Sequence, residues 1–443
     1  MLLARIRGTR EQLRTLEASG LRLHRTGVRR ISSTVFEVPV VLDRPEASLL
    51  ELWGYQVIVD GDVNELLTKR LKPARARVQP FDASAELFSS VMSEDGYMEV
   101  AFMDNWIQSL SLLFPTLCSI LKAPNQTWEG RTVSAVHLAA GDQRGLRSIL
   151  FTGGVHAAEL GGPDSCIYFI ARLINAYVTR SSLVLGNKTY SADRIQAILN
   201  NLDIFVLPCA NPDGRVYVQS SQNWWRKNRN PNVGMNAVGV DINRNYDFLW
   251  SSGVGSSVIP TDDTYKGSKA FSEPETRNMQ WLLDISSADY FMDIHGPSGL
   301  LVYNWGDATD QSQDPSMNFL NPVWDGRRIP PYQEYINFED SSSARQLADR
   351  IISAVNLVGN GGYNAQQSFM GLYPTTATSD DYAFSRHIAN PNQQKTYSYT
   401  FEYGGGDFFP PYDTMRGIID EVNAAMLELC DAAASPFLVT TPQ

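Results

Sequence analysis

Cysteine is scarce. The 443 residues hold four, Cys118, Cys166, Cys209 and Cys430, far apart and with no Cys-x-x-Cys pair. That excludes a disulfide-built scaffold and leaves the redox compartment open. Cys209 closes the apolar run IFVLPC and reads as an inert core thiol. Long apolar runs are missing as well, since none reaches the roughly 18 to 20 residues of a membrane helix. The start, MLLARIRGTREQL, has too few apolar residues before its charges for a signal peptide. The expected location is cytoplasmic if that start is native and secreted if a signal has been removed. Positive charge is not in excess: 37 Lys and Arg face 48 Asp and Glu, a formal charge of −11. A globally basic nucleic-acid binder and a membrane protein are both poor descriptions. No internal repeat and no low-complexity tract is present. No Gly-rich loop ending in Lys-Ser/Thr follows a strand, which sets aside a dinucleotide or phosphate binder.

What is present is an ordinary globular mixture, 43% hydrophobic and 19% charged, long enough for a large core and more natural as two domains than one. The charge is uneven. Residues 1–80 carry 14 Lys/Arg and 9 Asp/Glu, net +5, and the rest carry 23 and 39, net −16. A small basic unit joined to a large acidic body suggests that the two attract.

Within the first 65 residues LLARIRG alternates like a strand, and TREQLRTLEASG is a short helix opened by Thr9. STVFEVPVVL is a second strand, RPEASLLELWGYQ a second helix with Pro45 near its first turn, and VIVDGD a third strand. This predicts a small α/β sandwich. LLTKRLKPARARVQP follows, with five basic residues and two prolines. It reads as an exposed linker, either a plain solvated connector or a site of activating proteolysis. The expected units are 1–80, a basic α/β domain and linker, and 93–435.

Beyond Tyr97 four stretches read as buried strands: RSILFTGGV, LDIFVLPC, DYFMDI and TYSYTFEY. Helical stretches such as PDSCIYFIARLINAYV and EPETRNMQWLLDI lie among them. The fold class is α/β, a mixed, mostly parallel sheet with helices on both faces. The stretch 307–343, rich in Asp, Asn, Pro, Gly and Ser, suggests a lid or rim loop.

Five histidines are available, His24, His137, His156, His295 and His387. A lone histidine at a strand end is more often structural than a ligand. His156 differs because Glu159 follows three residues later, so one tight turn can aim both at a common centre. His295 arrives from a second strand. Two imidazoles and a carboxylate, without thiolate, suit a catalytic zinc with an open position. His156, the turn ANPDGR, His295 and Glu402 all fall at the C-terminal ends of expected strands, where ligands bind in open α/β sheets. Alternation in TYSYTFEY puts Tyr397, Tyr399 and Phe401 on one face, and Thr396, Ser398, Thr400 and Glu402 on the other. Glu402 is either a paired structural charge or a general base. Arg226 and Arg229, with Asp241, Asn243, Arg244 and Asn245, are polar groups that packing does not require. An Asn-Arg pair can fork onto a carboxylate, although any one of these arginines taken alone reads as a surface salt bridge.

In order and spacing the chain carries WEGR at 128–131, HAAE at 156–159, NPDG at 211–214, WRKNR at 225–229 and GVDINRN at 239–245. YKGSKAFSEPE at 265–275, DIH at 293–295, Tyr373 with SDDY at 379–382, and TFEYGG at 400–405 complete the set. Together these stretches, from about Tyr97 to Leu429, resemble the zinc metallocarboxypeptidases of the pancreatic carboxypeptidase A/B family. The resemblance implies one zinc ion per chain, bound by His156, Glu159 and His295, and Asp241 hydrogen-bonded to the first zinc histidine. It implies Glu402 as general base and acid and Arg226 as stabiliser of the oxyanion. Asn243, Arg244 and Tyr373 would hold the terminal carboxylate of a peptide or protein substrate.

The resemblance also places Asp380 on the floor of the pocket for the departing side chain, where aspartate accompanies a preference for Lys and Arg. The alternative is that Asp380 pairs with an internal arginine such as Arg386 and the pocket is apolar. Two positions depart from the family pattern, Ala158 in place of an arginine and Pro297 in place of a tyrosine. Residues 1–80 sit where relatives carry a pro-segment, and the unit is expected to dock on the catalytic domain. The same zinc chemistry could serve cell-wall peptides, and a zinc-free peptide-binding pseudoenzyme would require a missing catalytic group.

Overall fold

The computed structural model describes residues 1–18, 29–71, 81, 83–140, 146–324, 331–359 and 361–435. The N-terminal strands Leu2–Gly8, Arg29–Arg30, Phe36–Leu42 and Gln56–Asp62 form an antiparallel sheet of four. Helices Arg10–Ala18 and Arg44–Leu52 accompany it. Thr9 opens the first helix as expected, its Oγ1 accepting from the Gln12 amide while the Gln12 side chain accepts from the Thr9 amide. Asp43 and Glu46 cap the second in the same reciprocal way. Ala4, Ile6, Leu13, Val38, Val40 and Leu50 form the core of this sandwich.

The linker expected at 66–80 begins instead as helix Val63–Arg70, capped by Asp62. Leu67 and Leu71 are buried in the main core, because their apolar spacing outweighs the flanking charge. The basic remainder, 72–80, where activating proteolysis would fall, lies outside the described residues.

The large sheet has eight strands, in the order Asn364–Gln367, Leu300–Tyr303, Tyr397–Glu402, Tyr290–His295, Arg147–Gly153, Leu202–Leu207, Ser134–Leu138 and Cys118–Lys122. The four strands read from sequence are its contiguous parallel centre. The neighbouring strands Leu300–Tyr303 and Ser134–Leu138 run antiparallel to that centre. The pleat sorts the central residues. Ile149, Phe151, Met292, Tyr399 and Phe401 face the core under helices Gly161–Thr179 and Tyr412–Ala433, while Leu150, Phe205 and Phe291 face helices Pro274–Ser286 and Ser379–Ala389. Each such fully buried side chain contributes about 1.5–3 kcal/mol. All four cysteines are buried and unpaired, and burial pushes the Cys209 thiol up to about 12. Among the described residues no helix is long and apolar enough to cross a membrane.

Two features bring the chain to its site. After strand Arg147–Gly153 the backbone turns at Gly154, φ +68°, and a Cβ on Gly153 would stand 2.9 Å from the Gly162 carbonyl carbon. Only glycine lets helix Gly161–Thr179 start this close to the strand end. The parallel register then aligns His295 with Glu402 and Ile294 with Gly153, so three strands finish on one level. Within 307–343 two short strands pair, Asp310–Gln311 with Glu334–Tyr335, and Phe319 packs on Phe248 and Trp305. None of its described residues lines the cavity at the strand ends, and the partly buried Phe319 anchors its described part.

Candidate active site

His156 and Glu159 lie in the turn between strand Arg147–Gly153 and helix Gly161–Thr179, and His295 ends its own strand. All three are nearly fully buried. His156 Nδ1 is 2.8 Å from Glu159 Oε1, His295 Nδ1 is 3.0 Å from Glu159 Oε2, and the two Nδ1 atoms are 3.0 Å apart. At most one of two ring nitrogens this close can carry a proton, and both nitrogens and the carboxylate converge on one point. Each far nitrogen has a carboxylate close by: His156 Nε2 is hydrogen-bonded to Asp241 Oδ1 at 3.3 Å, and His295 Nε2 lies 2.9 Å from Asp293 Oδ2 as an ion pair without hydrogen-bond geometry. Burial pushes the Glu159 carboxyl up, but His156 and then His295 outweigh it and hold it below the usual range. Burial likewise works against the His295 imidazolium, yet Asp293 and Glu159 raise it well above an ordinary histidine. The centre therefore draws in positive charge through two nitrogens and a carboxylate. That donor set fits a zinc ion.

The other two histidines in described segments are structural. His137 pairs with Asp203 at 2.9 Å and stacks on Phe205, and His387 is bound to the Phe384 carbonyl at 2.7 Å. His24 lies outside the described residues. Asp293 was not singled out from sequence as a site residue. Its signal was the spacing Asp-x-His on a strand, which puts both side chains on one face.

Arg226 gives its Nε proton to Asp241 Oδ2 at 3.0 Å, and its Nη2 is buried without a protein partner. Burial disfavours the guanidinium, but Asp241, Tyr373 and Glu159 overcompensate and hold it charged. The Asp241 carboxyl is in turn kept well below its usual range, burial being outweighed by Arg226 and then His156. Asn211 fastens this arrangement: its side chain donates to the Val155 and Lys227 carbonyls, tying the zinc turn to the arginine segment. Arg229 follows the salt-bridge alternative, lying 3.6 Å from Glu129 and over the rings of Tyr217 and Trp225.

Arg244 donates to the Tyr373 hydroxyl at 2.8 Å, and Asn243 accepts from the Ser379 amide at 2.8 Å. His156, His295, Arg226, Asn243, Arg244, Tyr373, Asp380 and Glu402 all line one open cavity. Glu402 accepts from Ser298 Oγ at 3.3 Å. Burial, and then the charge of Glu159, push its carboxyl up to about 8 against the pulls of His295 and Arg226. A cation at the centre adds to those pulls. Asp380 is 3% exposed, and its Oδ2 accepts from Thr400 at 3.1 Å. Arg386 does not reach it, being held by Asp284 and Gln393. The internal Asp380–Arg386 pair is thereby excluded.

A model of the zinc carboxypeptidase family matches residues 103–425. The metallocarboxypeptidase A of Arthroderma otae is 35% identical over 207 residues, 46% of this chain and 46% of that protein. The chain thus aligns with about half the length of its fungal relatives. Carboxypeptidase B of Homo sapiens is 25% identical over 368 residues, 82% of this chain and 77% of that one. Among solved structures, thrombin activatable fibrinolysis inhibitor superposes with a TM-score of 0.74 at 18% identity, covering 98% of both chains. Carboxypeptidase A from Helicoverpa armigera gives 0.73 at 18% identity over 98% of both chains. These two share the fold from end to end, and with the match over 103–425 this chain belongs to the zinc carboxypeptidase family.

Proposed function

We propose that the chain hydrolyses the C-terminal peptide bond of peptides or proteins and prefers Lys or Arg at the end. One observation carries the reading: the His156–Glu159–His295 centre and Glu402 share a cavity with the guanidinium groups of Arg226 and Arg244. His156, Glu159 and His295 would hold a zinc ion, which when bound would supply Lewis-acid charge to the reacting carbonyl and water. Arg244, Asn243 and Tyr373 bind the substrate's terminal carboxylate, so an internal peptide leaves a buried cation unpaired. Glu402 takes a proton from water as its oxygen bonds to the carbonyl carbon. The free Nη2 of Arg226 donates to the oxygen that gains charge. The carbon–nitrogen bond then breaks, and Glu402 delivers the proton to the departing amine.

The preference rests on Asp380. Nearly buried and in no ion pair among the described residues, it is relieved by an incoming basic side chain. Blocked dipeptides ending in Lys, Arg or Phe test both claims. Turnover should vanish with a chelator, and Asp380→Ala should lose Lys and Arg turnover while keeping Phe. Unchanged turnover of the basic peptides would sink the preference.

Residues 1–80 are further proposed to rest on a catalytic unit spanning 93–435. Supporting this, Arg70 donates to both Asp407 oxygens at 3.0 and 2.9 Å, and Thr68 Oγ1 to Gln222 at 2.6 Å.

A further inference from the structure

We infer that the side-chain pocket is built for a primary ammonium, so that C-terminal lysine is taken in preference to C-terminal arginine. This rests on the reading that the pocket takes a basic side chain.

The two carboxylate oxygens of Asp380 are not equivalent. Oδ2 already receives the Thr400 hydroxyl proton at 3.1 Å. Oδ1 has no hydrogen-bond partner among the described residues. The next carboxylate, Asp381, is committed elsewhere, accepting from Asn304 and the Gly306 amide. Ser368, Thr375 and Thr378 border the same cavity, are 5–6% exposed, and none of their hydroxyls makes a hydrogen bond among the described residues. Val302 and Leu372 supply apolar wall. The pocket thus offers one open carboxylate oxygen and three hydroxyl oxygens, each with acceptor lone pairs.

An ammonium is a compact charge with three donors that rotate freely to whatever acceptors surround it. One anionic oxygen and three hydroxyl side chains bordering the same cavity match that inventory, while the apolar wall suits the methylene stem. A guanidinium is planar and carries five N–H donors, and it binds a carboxylate best as a fork onto both oxygens. Here the fork meets one oxygen whose capacity is partly used by Thr400. Its remaining donors must find hydroxyls in a single plane, and any that fail are buried without an acceptor. The discriminating group is therefore Thr400, acting through the carboxylate it occupies, with the open hydroxyls as acceptors.

The test measures kcat/KM of the zinc-loaded full chain on blocked dipeptides with a common penultimate residue and Lys, Arg or Leu at the end. Lysine should exceed arginine by about tenfold or more, with both above leucine. Thr400→Val frees Oδ2 and should lower the Lys-to-Arg ratio at least threefold; Ser368→Ala and Thr378→Val should lower it by removing acceptors. The ratio is taken within each variant, so a general loss of activity cancels. Calorimetric titration of the unaltered protein with free lysine and free arginine gives the same comparison without any variant, and lysine should bind more tightly. Arginine equal to or better than lysine, with both above leucine, overturns the lysine preference and leaves the basic-pocket reading standing. Leucine above both overturns the basic-pocket reading, and this inference with it.

Discussion

Asp293 and His295 stand two residues apart on one strand, and Oδ2 of Asp293 lies 2.9 Å from Nε2 of His295. The pleat sends both side chains to the same face, where Asp293 Oδ2 also accepts from Ser379 Oγ and its contact with His295 is electrostatic rather than a hydrogen bond. Asp241 hydrogen-bonds His156 Nε2 from a different segment, at 3.3 Å. The two rings thus meet their carboxylates by separate routes. Removing either carboxylate should loosen the centre without deleting a ligand. Asp293→Ala should weaken zinc affinity about 10- to 100-fold, read by competition with a chromophoric chelator. An unaltered dissociation constant would show that Asp293 is a packing residue.

Glu402→Gln preserves shape and keeps an acceptor for Ser298, but cannot accept the proton from water. Its kcat should fall by about 10²–10⁴ while the zinc content stays at one per chain. Loss of metal together with activity would mean that Glu402 holds the centre together and is not its base.

Arg226 has one nitrogen tied to Asp241 and another, Nη2, left free. Arg226→Ala should lower kcat by about 10²–10³, or about 3–4 kcal/mol, with a smaller change in KM. A rise in KM alone would place Arg226 in substrate binding only.

Glu275 gives a pH prediction away from the metal centre. Its Oε2 accepts from Asn228 at 2.9 Å, and its Oε1 is buried without a partner. Burial, with the nearby charges of Glu273 and Asp213, pushes its carboxyl up to about 8. A folded-state pKa raised above the unfolded value means that the folded chain keeps a proton the unfolded chain releases. Stability from this group is therefore greatest below about 4.5, falls as pH rises, and levels off above about 8. Glu275→Gln should flatten that part of the melting-temperature profile and melt higher than the unaltered protein at alkaline pH. Parallel profiles for the two would refute the assignment.

The Arg70–Asp407 pair tests the seating of the N-terminal unit. Its side chains are 19% and 40% exposed, so the pair is worth at most about 1 kcal/mol. Arg70→Asp should speed amide exchange across 63–71, and adding Asp407→Arg should restore protection. If the double variant exchanges as fast as the single one, the contact does not seat that helix.

Much of the architecture was legible because burial writes itself into sequence. The four central strands are short, largely apolar stretches, and the alternation in TYSYTFEY put Phe401 and Glu402 on opposite faces. The antiparallel flanks, Ser134–Leu138 and Leu300–Tyr303, were not legible, since short strands at a sheet's margin carry no periodic signal of their own. Helix Val63–Arg70 was hidden by basic residues that mask its buried Leu67.

His156, Glu159, His295, Glu402 and the arginines could be singled out as candidates from residue types, motif order and strand-end position, because those features are local. Only the tertiary structure decided who is paired with whom. It gave Arg386 to Asp284, left one oxygen of Asp380 open, and supplied Asp293 as the partner of His295. Pairing depends on distances between segments more than a hundred residues apart in some cases and two in others, and side-chain chemistry by itself does not encode which acceptor a donor will meet.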